Sequence, residues 1–301
     1  MTLYSFNSNL HKYKKQHDET GGSLKDMLFQ YSDCFCGSSE YEIVSTTTRH
    51  HNQFTIVRCK YCSTLRINPY MTEDSIIYYY KEVYGRVKRN NRSASDLYEM
   101  QKTDKNAKAL FTKLSPYASS EDKILDYGSG AGGRLDEFLQ QNYKQLHLFD
   151  HDKKYVDYGL SKGYHKHDQE KKYQLIILSH VIEHINEPIK LLSELAAMLA
   201  TEGHIYIEVP LYENTKTLLS DFHLAHKYYF SKISLTLLAN LAGLKVVSDY
   251  KNAILVTLGE ANCADFSSKD AETIWLKQLF VAKRKELFKK PSRYIQQLLD
   301  N

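Results

Sequence analysis

The run Lys123-Ile-Leu-Asp-Tyr-Gly-Ser-Gly-Ala-Gly-Gly133 constrains this chain more than any other stretch. A short apolar strand ends in Asp126 and turns through Gly128, Gly130 and Gly132 into an amphipathic segment at 134–141. Glycines at a strand-to-helix turn let the backbone bend tightly and approach a ligand with no side chain in the way. Downstream, 145–150 reads as a second strand ending in Asp150. A carboxylate there accepts hydrogen bonds from ribose hydroxyls, so the two strand ends describe a nucleoside-binding pocket.

Strands and helices alternate from that point. Strands are expected at 123–126, 145–150, 174–179 and 204–209, with helices near 134–141, 153–162 and 187–200. This order specifies a parallel, doubly wound α/β sheet. Leu244–Tyr250 and Ala253–Leu258 are two further strands joined only by Lys251-Asn252. That link is too short for a helical crossover, so they pair antiparallel. Five segments follow: a polar N-terminal arm that is loose or partly helical (1–30), a cysteine-bearing segment (31–70), a helical flap (71–115), the α/β core (116–262) and a C-terminal helical segment (263–301). Trp275, Leu279, Leu287 and Leu298 are its packing positions.

Composition narrows the class. The hydrophobic share of 42% and the charged share of 25% are ordinary for a soluble globular protein. A net charge of +4 gathers in Lys/Arg-rich stretches at 11–15 and 283–290, which read as solvated ends rather than a nucleic-acid surface. No stretch approaches the roughly 18 apolar residues of a membrane span. The first residues, Met1-Thr-Leu-Tyr-Ser-Phe-Asn, lack the pattern of a signal peptide, so a cytoplasmic location is expected.

Cys34-Phe-Cys36-Gly37 and Cys59-Lys-Tyr-Cys62 form two short knuckles. Four thiolates so spaced suit tetrahedral zinc, and a closed four-sulfur site is structural rather than catalytic. The competing reading is buried or free cysteines in a β-hairpin. The first knuckle has one intervening residue where two is commoner. Cys263 reads as an ordinary residue.

With both elements in view, the chain resembles the class I S-adenosylmethionine-dependent methyltransferases. More narrowly, it is similar to the group with an N-terminal cysteine ribbon found beside sugar- and polysaccharide-modifying enzymes. The resemblance covers 33–260 and rests on the two knuckles, Asn68-Pro69, the glycine turn, His180-Val-Ile-Glu-His184, Glu187-Pro188, His223-Leu-Ala-His-Lys-Tyr-Tyr-Phe-Ser231 and the closing hairpin. It implies a Rossmann-like, seven-stranded methyltransferase sheet with an antiparallel last strand, plus a small zinc ribbon.

The same resemblance implies roles. Asp126 and the backbone of Gly128, Ser129, Gly130 and Gly132 hold the methionine end of S-adenosylmethionine. Asp150 takes the ribose hydroxyls with His151 beside it, Asp168 lies at the adenine, and Ser179 and His180 close the pocket. His226 is the expected general base, because its segment is similar to the histidine loop of sugar C-methyltransferases. Ala225 replaces a carboxylate of that loop and His223 is displaced by one residue, so O-methylation is expected instead of C-methylation. His223 and Tyr84, in a tyrosine-rich stretch with Tyr78, Tyr79 and Tyr80, are expected at the substrate. Glu183 and His184 are further catalytic candidates, with His180 and His184 sharing a helix face. Related enzymes carry a glutamate in place of His180, and that change weakens any magnesium site.

The expected function is methyl transfer to a small molecule, a sugar nucleotide or cell-surface glycan precursor. Two alternatives are an RNA methyltransferase gripping phosphates with the ribbon and basic ends, and a catalytically silent cofactor-binding scaffold. Against RNA, no dense Lys/Arg stripe with interleaved aromatics accompanies the ribbon.

Overall fold

A computed structural model describes residues 3–5, 27–46, 54–79, 93–215, 222, 224–260 and 266–289. The chain divides into two compact units. One gathers Met1–Tyr78, Pro210–Leu237 and Ala264–Asn301; the other gathers Tyr79–Val209 and Leu238–Cys263.

The first unit holds two antiparallel sheets. In one, β1 (Leu3–Ser5) pairs with β2 (Leu28–Gln30), which pairs with β6 (Tyr70–Met71). Two short pieces of the expected N-terminal arm are therefore strands. The other sheet runs β12 (Tyr228–Tyr229), β5 (Leu65–Ile67), β4 (Ile56–Cys59), β3 (Tyr41–Ser45). Every residue of β4 and β5 is buried, as inner strands covered on both faces require, whereas the edge strand β3 is largely exposed. Helix α1 (Glu73–Tyr78) follows β6. The helix Ser268–Lys289 closes this unit through Ala271, Trp275 and Gln278, a buried stripe at helical spacing. Trp275 meets the Tyr212 ring edge-on at 6.3 Å, and Gln278 Nε2 donates to Thr215 O at 2.9 Å. The side chain of Leu279, and those of Leu287 and Leu298, lie outside the described residues.

The second unit is a seven-stranded α/β sheet. It comprises β7 (Lys123–Tyr127), β8 (Gln145–Phe149), β9 (His165–Lys166), β10 (Tyr173–Ser179), β11 (Leu199–Glu208), β13 (Leu244–Tyr250) and β14 (Ala253–Leu258), in spatial order β13-β14-β11-β10-β7-β8-β9. The strands from β7 to β11 are parallel, and β14 lies antiparallel between β11 and β13. The expected doubly wound sheet with an antiparallel finish is thus the observed one. β11 starts at Leu199, before the expected 204, because a bulge shifts the pairing from Tyr173↔Leu199 to Leu175↔His204. Gly203 allows it: a Cβ there would come within 2.9 Å of Tyr173 O.

Helices α2 (Ala94–Thr103) and α3 (Lys105–Leu114) precede the sheet. A capping box starts α2: Ser93 Oγ accepts from Asp96 N at 3.1 Å and Asp96 Oδ2 accepts from Ser93 N at 3.2 Å. The helix expected at 134–141 is a 3₁₀ turn, Gly133–Leu135, running into the short α4 (Asp136–Gln140). Then come α5 (Lys153–Ser161), α6 (Pro188–Ala197), α7 (Lys232–Leu241) and, completing the numbering, α8 (Ser268–Lys289). The chain winds outward from β7 through β8 to β9 and then crosses back to β10 on the other side of β7, so the winding direction switches between β7 and β10. Ligands of open α/β sheets bind at the carboxyl ends of strands around such a switch point.

Candidate functional site

The carboxyl end of β7 carries Asp126 and the glycine turn. Gly128 and Gly132 both have φ +86, a backbone region costly to any residue with a Cβ. A Cβ on Gly128 would also fall 2.4 Å from Val181 Cγ2. The turn is tied to the end of β8: Gly128 N and Ser129 N both donate to Phe149 O, at 2.7 and 2.9 Å. Asp150 completes the tie. Its Oδ2 accepts from Gly130 N at 2.8 Å and its Oδ1 from Asp152 N at 2.9 Å. Each oxygen of a carboxylate has two lone pairs, so this clamp still leaves acceptor capacity for a ligand's hydroxyls.

Asp126 is buried, and its Oδ2 has no hydrogen-bond partner among the described residues. Burial pushes its carboxyl up to about 7, against the pull of Arg134 and with a further push from Asp150. A buried acceptor without a donor is costly. It fits a site that receives a cationic, hydrogen-bonding group such as an ammonium.

Helix α2 braces the turn. Gln101 Nε2 donates to Ser129 O at 3.0 Å, and its Oε1 accepts from Gly133 N at 3.3 Å. A Cβ on Gly133 would lie 2.2 Å from Tyr98 O, so helix and turn meet backbone to backbone. The sequence carries no local signal for Gln101, because its partners lie about thirty positions away.

A polar chain crosses the ends of β10 and β11. Arg134 Nη1 donates to Ser179 Oγ, whose hydroxyl donates to Glu208 Oε2 at 2.7 Å. Sequence reasoning missed Arg134 and Glu208; the only local hint is that Arg134 directly follows the glycine turn. His180 has φ +58 and donates its backbone N–H to Glu208 O at 2.9 Å. The expected shared helix face of His180 and His184 is not formed. That stretch is one 3₁₀ turn, Ile182–His184, and left-handed His180 stands outside it. Both histidines instead approach the buried Glu183: His180 Nδ1 lies 3.4 Å and His184 Nε2 3.9 Å from its Oε1. Desolvation would lower the His180 pKa, but the Glu183 carboxylate outweighs it and raises it.

Other expected site residues are placed as follows. His151 is exposed, with its ring edge-on to Phe149 at 5.4 Å. Asp168 follows β9, and its Oδ1 accepts from Glu170 N at 3.0 Å. His226 belongs to the other unit, half-buried, its ring 5.5 Å from that of Tyr229. Tyr84 and His223 lie outside the described residues.

The first unit brings the four cysteines together. Cys34, Cys36, Cys59 and Cys62 place their sulfurs within 4.8 Å of one another, with Cys34–Cys62 at 3.5 Å and Cys36–Cys59 at 3.7 Å. All four are free thiols. Tetrahedral zinc with Zn–S near 2.3 Å needs sulfurs about 3.8 Å apart, and this set fits it. Competition for charge splits their acidities: bonds from Cys34, Cys36 and Cys62 push the Cys59 thiol down, while those around Cys34, with burial, push it up. Leu237, Phe35 and Phe266 pack against the cluster.

The methyltransferase domain family matches residues 98–249, from within α2 into β13. The chain belongs to that family. No curated protein matches the sequence. Among solved structures, the chain is similar to a 1,6-didemethyltoxoflavin N1-methyltransferase of Burkholderia thailandensis bound to its substrate and S-adenosylhomocysteine. Identity is 13%, covering 74% of this chain and 100% of that one, with a TM-score of 0.50. It also resembles a sugar N-methyltransferase of Streptoalloteichus (11% identity, 55% and 93% covered, TM-score 0.44) and magnesium protoporphyrin IX methyltransferase of Synechocystis (14%, 51% and 82%, TM-score 0.42). The methyltransferase domain thus spans the glycine turn, Asp150 and His180–His184, while the four cysteines lie before it. No described helix is long and apolar enough to cross a membrane.

Proposed function

We propose that this methyltransferase moves a methyl group from S-adenosylmethionine to a hydroxyl of a sugar nucleotide or glycan precursor, with zinc as a structural element of its cysteine ribbon. The observation that carries the donor assignment is the buried, unpartnered Asp126 Oδ2 beside a turn clamped by Asp150. Asp126 would hold the donor's ammonium, the backbone of Gly128–Gly130 would line its chain, and Asp150 would accept from its ribose hydroxyls. His151 and Asp168 would flank the adenine, with Ser179 and His180 at the far wall. When bound, the sulfonium supplies an activated methyl and a neutral leaving group.

What remains for the protein is to align the acceptor and remove its proton. Positioning provides much of the acceleration, and a general base adds about 10²–10⁴. His226 is our base, with Glu183 and His184 as further catalytic groups and Tyr84 and His223 toward the acceptor. The sugar assignment is supported by the resemblance of the ribbon and of 223–231 to sugar-modifying methyltransferases. A cytoplasmic setting, where reduced thiols persist, suits the ribbon.

Two measurements test this. S-adenosylmethionine should raise the melting temperature while NAD leaves it unchanged; stabilisation by NAD alone would remove the donor assignment. A panel of sugar nucleotides scored by S-adenosylhomocysteine release should give turnover on at least one member. Turnover confined to RNA, with steep salt dependence, would replace the acceptor class.

A further inference from the structure

Arg66, in the middle of β5, is fully buried, and its guanidinium is left short of partners. Nη2 donates to Ser32 O at 3.0 Å and the group lies over the Tyr41 ring at 5.5 Å. Nε and Nη1 have no hydrogen-bond partner among the described residues, and no carboxylate pairs with this arginine there. Arg58 on the neighbouring strand shows the ordinary arrangement. It reaches Glu42 at 2.7 Å, Glu272 at 3.5 Å and Ser63 Oγ at 3.0 Å. A buried cation without an anion is strongly disfavoured, so Arg66 calls for a negative charge nearby.

Glu42 and Glu40 are engaged by Arg58 and Lys60, and the four sulfurs supply a further set of potential negative charges in this unit. Arg66 lies directly opposite Tyr228 in the β5–β12 ladder. The Tyr228 ring meets Phe35, the residue between Cys34 and Cys36, edge-on at 5.8 Å. Ser32, whose carbonyl accepts from Arg66 Nη2, lies two positions before Cys34. One hydroxyl feels both groups: burial raises the Tyr228 phenol, Cys34 adds to that, Arg66 opposes it, and Cys62 and Cys36 push the same way as Cys34. Lys227, also buried, brings a second cation within 5.1 Å of the Tyr228 ring.

Zinc held by four thiolates carries a net charge of minus two in surroundings lined by Leu237, Phe35 and Phe266. We propose that Arg66 is the buried counter-charge of this tetrathiolate centre, a positioning residue that sustains metal affinity without touching the metal. The proposal rests on the zinc reading above. It also explains why a cation stands unpaired in a core: its partner is the loaded cluster.

The test uses the whole chain. Zinc per chain is measured by atomic emission, affinity by chelator competition, and the cobalt-substituted protein by its thiolate-to-cobalt absorption. The unaltered protein should hold one zinc. Arg66→Met and Arg66→Gln should weaken the metal about tenfold or more, in line with outer-shell effects elsewhere, while Arg66→Lys stays within about threefold. Should neither neutral variant fold, Arg66→Lys decides: a folded protein with one zinc supports the proposal, and an unfolded one overturns it. Equal zinc affinity in Arg66→Met and the unaltered protein also overturns it. An unaltered protein that binds no zinc removes the zinc reading itself, a separate and recognisable failure.

Discussion

Asp126→Asn isolates what the buried carboxylate costs the fold. The pKa of Asp126 moves from 3.8 to about 7 on folding, because burial disfavours its charged form. A raised carboxyl means that between those values the native state keeps a proton that the unfolded state has lost. Stability therefore falls as pH rises through that window, and the loss is complete above about 7. At roughly 1.4 kcal/mol per pH unit, the rise from 3.8 to about 7 amounts to about 4 kcal/mol at pH 8 and almost nothing at pH 4. Asparagine has the same shape and no charge to lose. It brings its own pH-independent cost, about 1–3 kcal/mol for an unsatisfied buried amide, so the pH slope is the informative quantity. Urea unfolding of both proteins, followed by circular dichroism from pH 4.5 to 8.5, should show Asp126→Asn gaining on the unaltered protein with each unit up to about pH 7, then a plateau. Parallel pH profiles would refute the assignment of an unpaired, buried carboxyl. The same variant should bind S-adenosylmethionine far more weakly, and binding to the unaltered protein should tighten as pH rises through the Asp126 pKa.

Three further outcomes are expected. Gly133→Ala places a methyl 2.2 Å from Tyr98 O, an overpacking worth about 1–3 kcal/mol; the melting temperature should drop by several degrees, and no change would mean that α2 yields freely. Asp150→Ala removes the acceptor of Gly130 N and Asp152 N, so calorimetry should record at least about a tenfold loss of S-adenosylmethionine affinity in a protein whose circular dichroism is unchanged. His226→Ala should lower turnover about 10²–10⁴-fold while donor affinity holds; wild-type turnover would remove it from the mechanism.

The sheet was readable because its cues are local. Strand-like runs ending in Asp126 and Asp150, glycines between them and a two-residue hairpin link each speak for their own neighbourhood. The bulge in β11 escaped because Glu202 and Gly203 look like an ordinary turn. The His180–His184 spacing suggested a helix, yet the backbone bond from His180 N to Glu208 O captures that residue in a left-handed conformation instead. Such a bond joins positions 28 apart and has no imprint on either segment alone. Gln101, Arg134 and Glu208 escaped for the same reason. The knuckles were legible from spacing, whereas the burial of Arg66 among aromatics depends on β12, which comes from far along the chain.

The order in which the chain supplies its parts also governs its biogenesis. The α/β unit has all of its residues by Cys263, whereas the cysteine-bearing unit also needs residues from Ala264 onward. The knuckles at 34–62 leave the ribosome about 210 residues before Glu272 and Trp275, which meet Arg58 and Tyr212. At translation rates of roughly 5–20 residues per second, the knuckles wait about 10–40 seconds for the helix that completes their unit. On the zinc proposal the metal can load the knuckles in that interval, so zinc scarcity during synthesis should lower the yield of folded protein more than the same scarcity imposed afterwards.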